Sequence, residues 1–203
     1  MGINMFLKIN ARGFAAAIVC AVMAGSAVIT SVSPASSQGI MDGEMFDPAM
    51  IRAIRAGDND TVRAELFATS PNDRSNQGIP ALIVAVESRN LEALHLLADA
   101  GARIDNRARR TDRTALTVAA GMGEAAIVRE LLARGADVDM TGSGSEVALL
   151  KAARNGHAEI LEILIEAGAD LTETDLAGDS ALNIAERNRH RQAAQVLRDA
   201  GVY

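Results

Sequence analysis

Cysteine is almost missing. The 203-residue chain has one, Cys20, which excludes an internal disulfide framework and any zinc site built on cysteines. Histidine is scarce as well: His95, His157 and His190 lie far apart, so the sequence contains no His-rich metal tract. Trp is absent, and aromatics make up 2% of a chain that is 49% hydrophobic, so the core must be filled without large rings. Basic residues fall short of acidic ones, 20 against 26, and the net charge of -6 argues against general nucleic-acid binding. The length allows one or two domains, with one as the starting expectation.

Charge is also missing from one long stretch. Lys8 and Arg12 are followed by no charged residue until Asp42. Gly13 to Val32 is apolar, and Ser33-Pro34-Ala35 follows it. A basic start, an apolar run and small residues read as a secretory signal peptide over 1–35, cut after Ala35. Residues 36–45 read as a flexible linker. The alternative is an uncleaved membrane anchor, since the run is near the bilayer-spanning length of about 20 residues. Cys20 is a poor lipid-attachment site, because Val19 before it is not small. Cleavage would remove the one Cys and leave 18 basic residues against 26 acidic, a net of -8. A cysteine-free mature protein suits an oxidising compartment and has no thiol nucleophile. The expected location is the periplasm or the medium, or the inner membrane if the anchor is kept.

What the rest of the chain has is repetition. Gly101-Ala102, Gly135-Ala136, Gly168-Ala169 and Gly201-Val202 recur at spacings of 34, 33 and 33. Ala81-Leu82, Ala115-Leu116, Ala148-Leu149 and Ala181-Leu182 keep the same spacings, and Ala85, Ala119, Ala152 and Ala185 follow each Leu by three. Within a unit the pattern is two short helices. Val147 to Asn155 is the first, with Leu149, Ala152 and Ala153 on one face; Gly156-His157 turns; Ala158 to Ala167 is the second. Gly168 sits where a helix end wants a left-handed residue. Thr114 and Ser180 sit at N-cap positions.

These columns resemble the ankyrin repeat, a unit of about 33 residues with a β-turn and two antiparallel helices. Ala152-Ala153-Arg154-Asn155-Gly156-His157-Ala158-Glu159-Ile160-Leu161 carries the likeness most strongly, with Leu164 to Leu171 and Leu131 to Val138 beside it. The resemblance covers about 78–202. It implies an all-α solenoid of helix-turn-helix units joined by β-hairpin-like loops. About five units are expected over 46–203: a divergent N-terminal cap (46–77), then 78–110, 111–143, 144–176, and a C-terminal cap (177–203). The family's Thr-Pro-Leu-His is incomplete in all four matching units. Pro80 and Val147 replace the capping Thr, and Ile83, Thr117, Leu150 and Asn183 replace the His. Stacking Ala, Leu and Ile between neighbours builds a thin core that needs no large aromatics.

Chemistry is mostly absent. No paired-carboxylate site or nucleophile with a base is visible. Gly142-Ser143-Gly144-Ser145 lacks the Lys-Ser/Thr of a phosphate loop and reads as a hairpin tip. No enzyme, cofactor or metal is expected. The resemblance implies a protein partner on the concave face, made by hairpin tips and first helices. The positions are Ile79, Glu87 and Ser88; Arg110, Arg113, Gly121 and Met122; Glu146, Arg154 and Asn155; Asp179, Arg187 and Asn188. Ile79 and Met122 are expected to be exposed apolar contacts. Arg107, Arg109, Arg110 and Arg113 crowd one hairpin, which is either a solvated loop or a contact for partner carboxylates. The hairpins at 137–141 and 170–179 are acidic, a pattern that suits one oriented protein partner. The leading expectation is a monomeric, non-catalytic exported binding module, with a membrane-tethered scaffold as the alternative. Small exported bacterial proteins of this build include immunity proteins and stress accessories, and these residues do not choose between them.

Overall fold

Among the described residues ten helices form, in pairs at the repeat's spacing. The computed structural model describes residues 47–142 and 146–201. The signal peptide or anchor over 1–35, the linker 36–45, Phe46, the tip residues 143–145 and Val202-Tyr203 lie outside the described residues. The helices are α1 (Ala49–Ala56), α2 (Asn59–Glu65), α3 (Ala81–Glu87), α4 (Leu91–Asp99), α5 (Ala115–Met122), α6 (Ala125–Ala133), α7 (Ala148–Asn155), α8 (Ala158–Glu166), α9 (Ala181–Arg187) and α10 (Arg191–Asp199). Each odd-numbered helix opens a unit and each even-numbered one closes it. First helices pack on first helices along the whole array, α1 on α3, α5, α7 and α9 in turn. Second helices form the other layer, with α2 on α4, α6 on α8, and α8 on α10. No β-strand occurs among the described residues; the hairpin-like loops show single bridges, Arg74 with Pro80 and Thr174 with Ser180.

One apolar core runs from Met50 to Leu197. The alanines of the repeated columns, Ala81, Ala115, Ala148 and Ala181 with Ala85, Ala119, Ala152 and Ala185, are all fully buried. Their small side chains let neighbouring first helices approach closely, and Leu149, Leu161, Leu164 and their equivalents fill the remaining seam. That is how 2% aromatics suffices.

The helix starts follow the capping chemistry. Thr114 accepts from the Thr117 amide at 3.2 Å, while the Thr117 hydroxyl accepts from the Thr114 amide at 3.0 Å. Both threonines are buried, so this reciprocal box satisfies groups that water cannot reach. Ser180 caps Asn183, whereas Pro80 and Val147 provide no side-chain cap. At the column where the family carries His, Thr117 serves the box and Ile83 and Leu150 join the core. Cross-unit bonds come instead from the turn between the two helices. Asn155 Nδ2 and His157 Nε2 meet the Gly121 carbonyl at 2.6 and 3.1 Å. Asn188 Nδ2 and His190 Nε2 meet the Arg154 carbonyl at 3.0 and 3.1 Å, and Asn90 reaches Ile54 at 3.4 Å. Gly156 must be glycine twice over. Its φ is 76°, and an added Cβ would lie 2.5 Å from His190. The third unit has Glu124 in the column of His157 and His190; a carboxylate cannot donate to the preceding carbonyl, and it pairs with Arg89 at 2.6 Å instead.

The loops are tied by a similar ladder. Asn72 accepts from the Arg103 amide, Asp105 from Asp137, and Asp139 from Asp170, each about one repeat away. Arg74 adds a staple, donating to the Gly78 and Arg107 carbonyls at 2.9 and 2.8 Å.

The fifth unit changes several outward columns. Ala153 and Leu161 are buried in the fourth unit. Their equivalents are Glu186 and Ala194, and Gly156 and Ile165 become Arg189 and Arg198. Glu186, Arg189 and Arg198 are exposed, and Arg198 pairs with Glu186. Three charges stand at columns that are Ala, Gly and Ile in the unit before. At the other end Arg52 is exposed where Val84 and Val118 are buried.

Replacing Thr114 with Ala should lower stability in urea unfolding by about 1–2 kcal/mol, because both halves of the buried box are lost. Replacing the exposed Glu162 with Ala should stay within about 0.5 kcal/mol.

Candidate functional site

The exposed positions of the first helices repeat as well. The last turn carries Arg55, Glu87, Gly121, Arg154 and Arg187 in successive units. The residue eight positions earlier is Asp47, Ile79, Arg113, Glu146 and Asp179. In the first, fourth and fifth units these two columns form the same acid–arginine clamp. Asp47 pairs with Arg55, Glu146 with Arg154 at 3.1 Å, and Asp179 with Arg187. The spacing brings a loop carboxylate over the end of the helix it precedes.

The second and third units break the clamp together. Ile79 is half-buried and packs on the core, Gly121 has no side chain, and the two orphaned charges find each other: Arg113 Nη2 pairs with Glu87 at 2.9 Å across the seam. In place of a side chain at Gly121, the stem of Lys151 crosses the helix. A Cβ there would lie 3.0 Å from Lys151 Cγ. Lys151 stands in the column of Val84, Val118 and Ile184, and its Nζ turns to Glu146 at 2.9 Å.

Around Gly121 and the Lys151 stem lies a hollow of about 320 Å³. Its floor is Val118, Met122 and Thr117, which are buried or half-buried; its rim holds the pairs Glu87 with Arg113 and Glu146 with Lys151. Asn155 and Gly142 also line it. Beside it Arg154 holds Glu146 and also Asp175 at 3.1 Å, while its Nε, buried, has no acceptor among the described residues. The Asp175 side chain is 9% exposed. Its carboxyl is held below the usual aspartate range mainly by the amide of Asp179, with the Ala177 amide, Arg154 and Arg187 adding to that against the opposing effect of burial.

Six of the residues singled out in the sequence meet at this hollow: Glu87, Arg113, Gly121, Met122, Glu146 and Asn155. Arg154, Asp179, Arg187 and Asn188 lie beyond it along the same face, joined by the clamps and the turn ladder. One expectation is corrected: Ile79 and Met122 are half-buried and packed on the core rather than exposed, and Met122 keeps a place in the hollow's lining. Ile79 in addition has its backbone tied to Ser75. The arginine hairpin is a separate feature. Arg107 pairs with Asp112 at 3.0 Å, Arg109 lies over Gly78, and Arg109 and Arg110 are exposed without a carboxylate among the described residues. The acidic hairpins spend much of their charge on their own turns, with Asp137, Asp170 and Asp175 each accepting amides two residues on. Sequence reading passed over Asp47 and Lys151 as site residues, and saw Asp175 only as part of an acidic hairpin. The eight-residue acid–arginine spacing was the signal that could have found the first. Among the described residues no group of three His, Cys, Asp or Glu is placed to hold a metal ion, and no helix is long and apolar enough to cross a membrane.

Comparison with known families agrees with the columns. A family model described as ankyrin repeats (3 copies) matches residues 50–142, and one described as ankyrin repeats (many copies) matches 131–185. Together they span about two thirds of the chain, and the first takes in the divergent opening unit. No curated protein matches the chain.

In an NMR pH titration the Asp175 carboxyl should titrate below a normal aspartate. Its contribution to stability is therefore complete above the unfolded-state value and is lost as pH falls through the folded-state value. Arg154→Ala should raise this titration point only partly, because the Asp179 amide is the leading cause. A return to the ordinary aspartate value in that variant would contradict the assignment.

Proposed function

This chain belongs to the ankyrin-repeat family, and from that premise we propose that it is a non-catalytic module exported to the periplasm, where its first-helix face binds a partner protein. Ankyrin repeats are protein–protein interaction modules in general. The observation that carries the proposal is the contrast between columns. The buried columns repeat Ala and Leu almost without change, while the exposed first-helix column reads Arg, Glu, Gly, Arg, Arg. A face that only kept the array soluble would need no such individual pattern, and mixed charges orient a partner more than they add raw affinity. Export rests on the basic start and apolar run of 1–35, and immunity to a toxin or a stress-accessory role fits a small module of this kind. The basic hairpin with Arg107, Arg109 and Arg110 precedes the hollow's Arg113 in sequence and, as a separate basic feature, offers its arginines to carboxylates on the partner.

A second reading is a membrane-tethered scaffold, favoured by the length of the apolar run over 13–32. Mass spectrometry of the native N-terminus separates the two. A start near Ser36 supports export with cleavage, and an intact Met1 start supports the tether.

The binding face is tested by placing a photo-crosslinking residue in living cells at Arg110 or Asn155, and at Glu162 on α8 as comparison. Crosslinks to a discrete partner should come from the first two positions. Crosslinks that come equally or only from Glu162 count against the first-helix face.

A further inference from the structure

We propose that the hollow over Gly121 is an anchor pocket for one uncharged, apolar side chain, of the size of Leu or Met, presented by the partner protein. This rests on the reading that partners bind the first-helix face, and it names what that face takes in. Three observations lead to it. First, the column that Arg55, Glu87, Arg154 and Arg187 fill elsewhere is glycine at Gly121, where the flexible Lys151 stem alone crosses the helix and leaves the hollow beside it. Second, the floor is largely apolar: Val118, Met122 and the Lys151 stem lie beside Thr117, whose hydroxyl is taken by the Thr114 cap. Third, the rim has no spare charge. Glu87 and Glu146 face Arg113 and Lys151, and both pairs are closed at 2.9 Å.

The third point selects the guest. A cationic or anionic side chain would have to break one of these pairs to gain its own, exchanging one half-exposed contact for another. An apolar side chain disturbs neither pair and removes apolar surface from water on both partners. The paired rim then remains to meet the polar backbone on either side of the anchor, the arrangement in which a buried centre is ringed by polar groups. The Gly121 carbonyl is already taken by Asn155 and His157, so it offers the guest little.

The test uses three blocked tripeptides, acetyl-Ala-Leu-Ala-amide, acetyl-Ala-Lys-Ala-amide and acetyl-Ala-Glu-Ala-amide, titrated into the isotope-labelled protein and followed by amide NMR. The Leu peptide should shift Met122 and Asn155 saturably and bind about tenfold more tightly than the other two. Gly121→Arg, a residue this column carries in three other units, should abolish those shifts with the remaining spectrum unchanged. Gly121→Ala, which only nudges the flexible Lys151 stem, should fold in any case and weaken binding by a smaller factor. Equal or tighter binding of the Lys or Glu peptide overturns the proposal, as does undiminished Leu-peptide binding in both variants. Shifts confined to Arg187 and Asn188 that ignore Gly121→Arg overturn the pocket but leave the first-helix face standing. No shift on any first helix overturns both.

Discussion

Contact between the first helices of neighbouring units is what the whole structure depends on. A pair of helices seven to nine residues long cannot bury its own apolar face, and isolated helices of that length are marginal in water. Each unit therefore borrows half of its core from the next. The fully buried alanines set the distance between first helices, and that distance allows an array built almost without aromatics. The turn ladder follows from it. His157 and His190 reach the preceding unit because Gly123 and Gly156 leave no side chain in the way.

Once stacking supplies stability, the exposed first-helix column is free to carry information. Its charges lie in pairs on a half-exposed face, where each pair contributes about 0–1 kcal/mol. The acid–arginine clamp of the first, fourth and fifth units can thus be broken in the second and third at little cost. The broken clamps are repaired across the seam by Glu87 and Arg113, and the vacancy at Gly121 becomes the hollow. The feature that departs from the repeat is the one the proposed recognition uses. Ankyrin repeats generally mediate protein–protein binding, and here the first-helix face carries the hollow at its third unit.

The fold was legible because its causes are local and periodic. Spacings of 33 and 34, Gly168 at a helix end and the caps at Thr114 and Ser180 each stated their role in the sequence, and the structure puts them there. The helix pair of the fourth unit ends within a residue of its expected bounds. The site was only partly legible. Glu87, Arg113 and Asn155 were visible as exposed column positions, yet their meeting at one hollow depends on Gly121 lacking a side chain and on Lys151 crossing from the next unit. Such contacts join residues about 30 positions apart and leave no periodic trace. The half-burial of Ile79 and Met122 was missed for a related reason: packing against the core is a tertiary contact that no spacing reports.

The central claim is that stability resides in the stacked core and that the first-helix charges serve recognition. Urea unfolding of one variant, with Glu87, Arg154 and Arg187 all changed to Gln, tests this most directly. The account predicts a total loss of no more than about 1–2 kcal/mol with the transition still cooperative. A loss of about 3–5 kcal/mol, the size of a large core cavity, would show that these charges hold the array together and would contradict it.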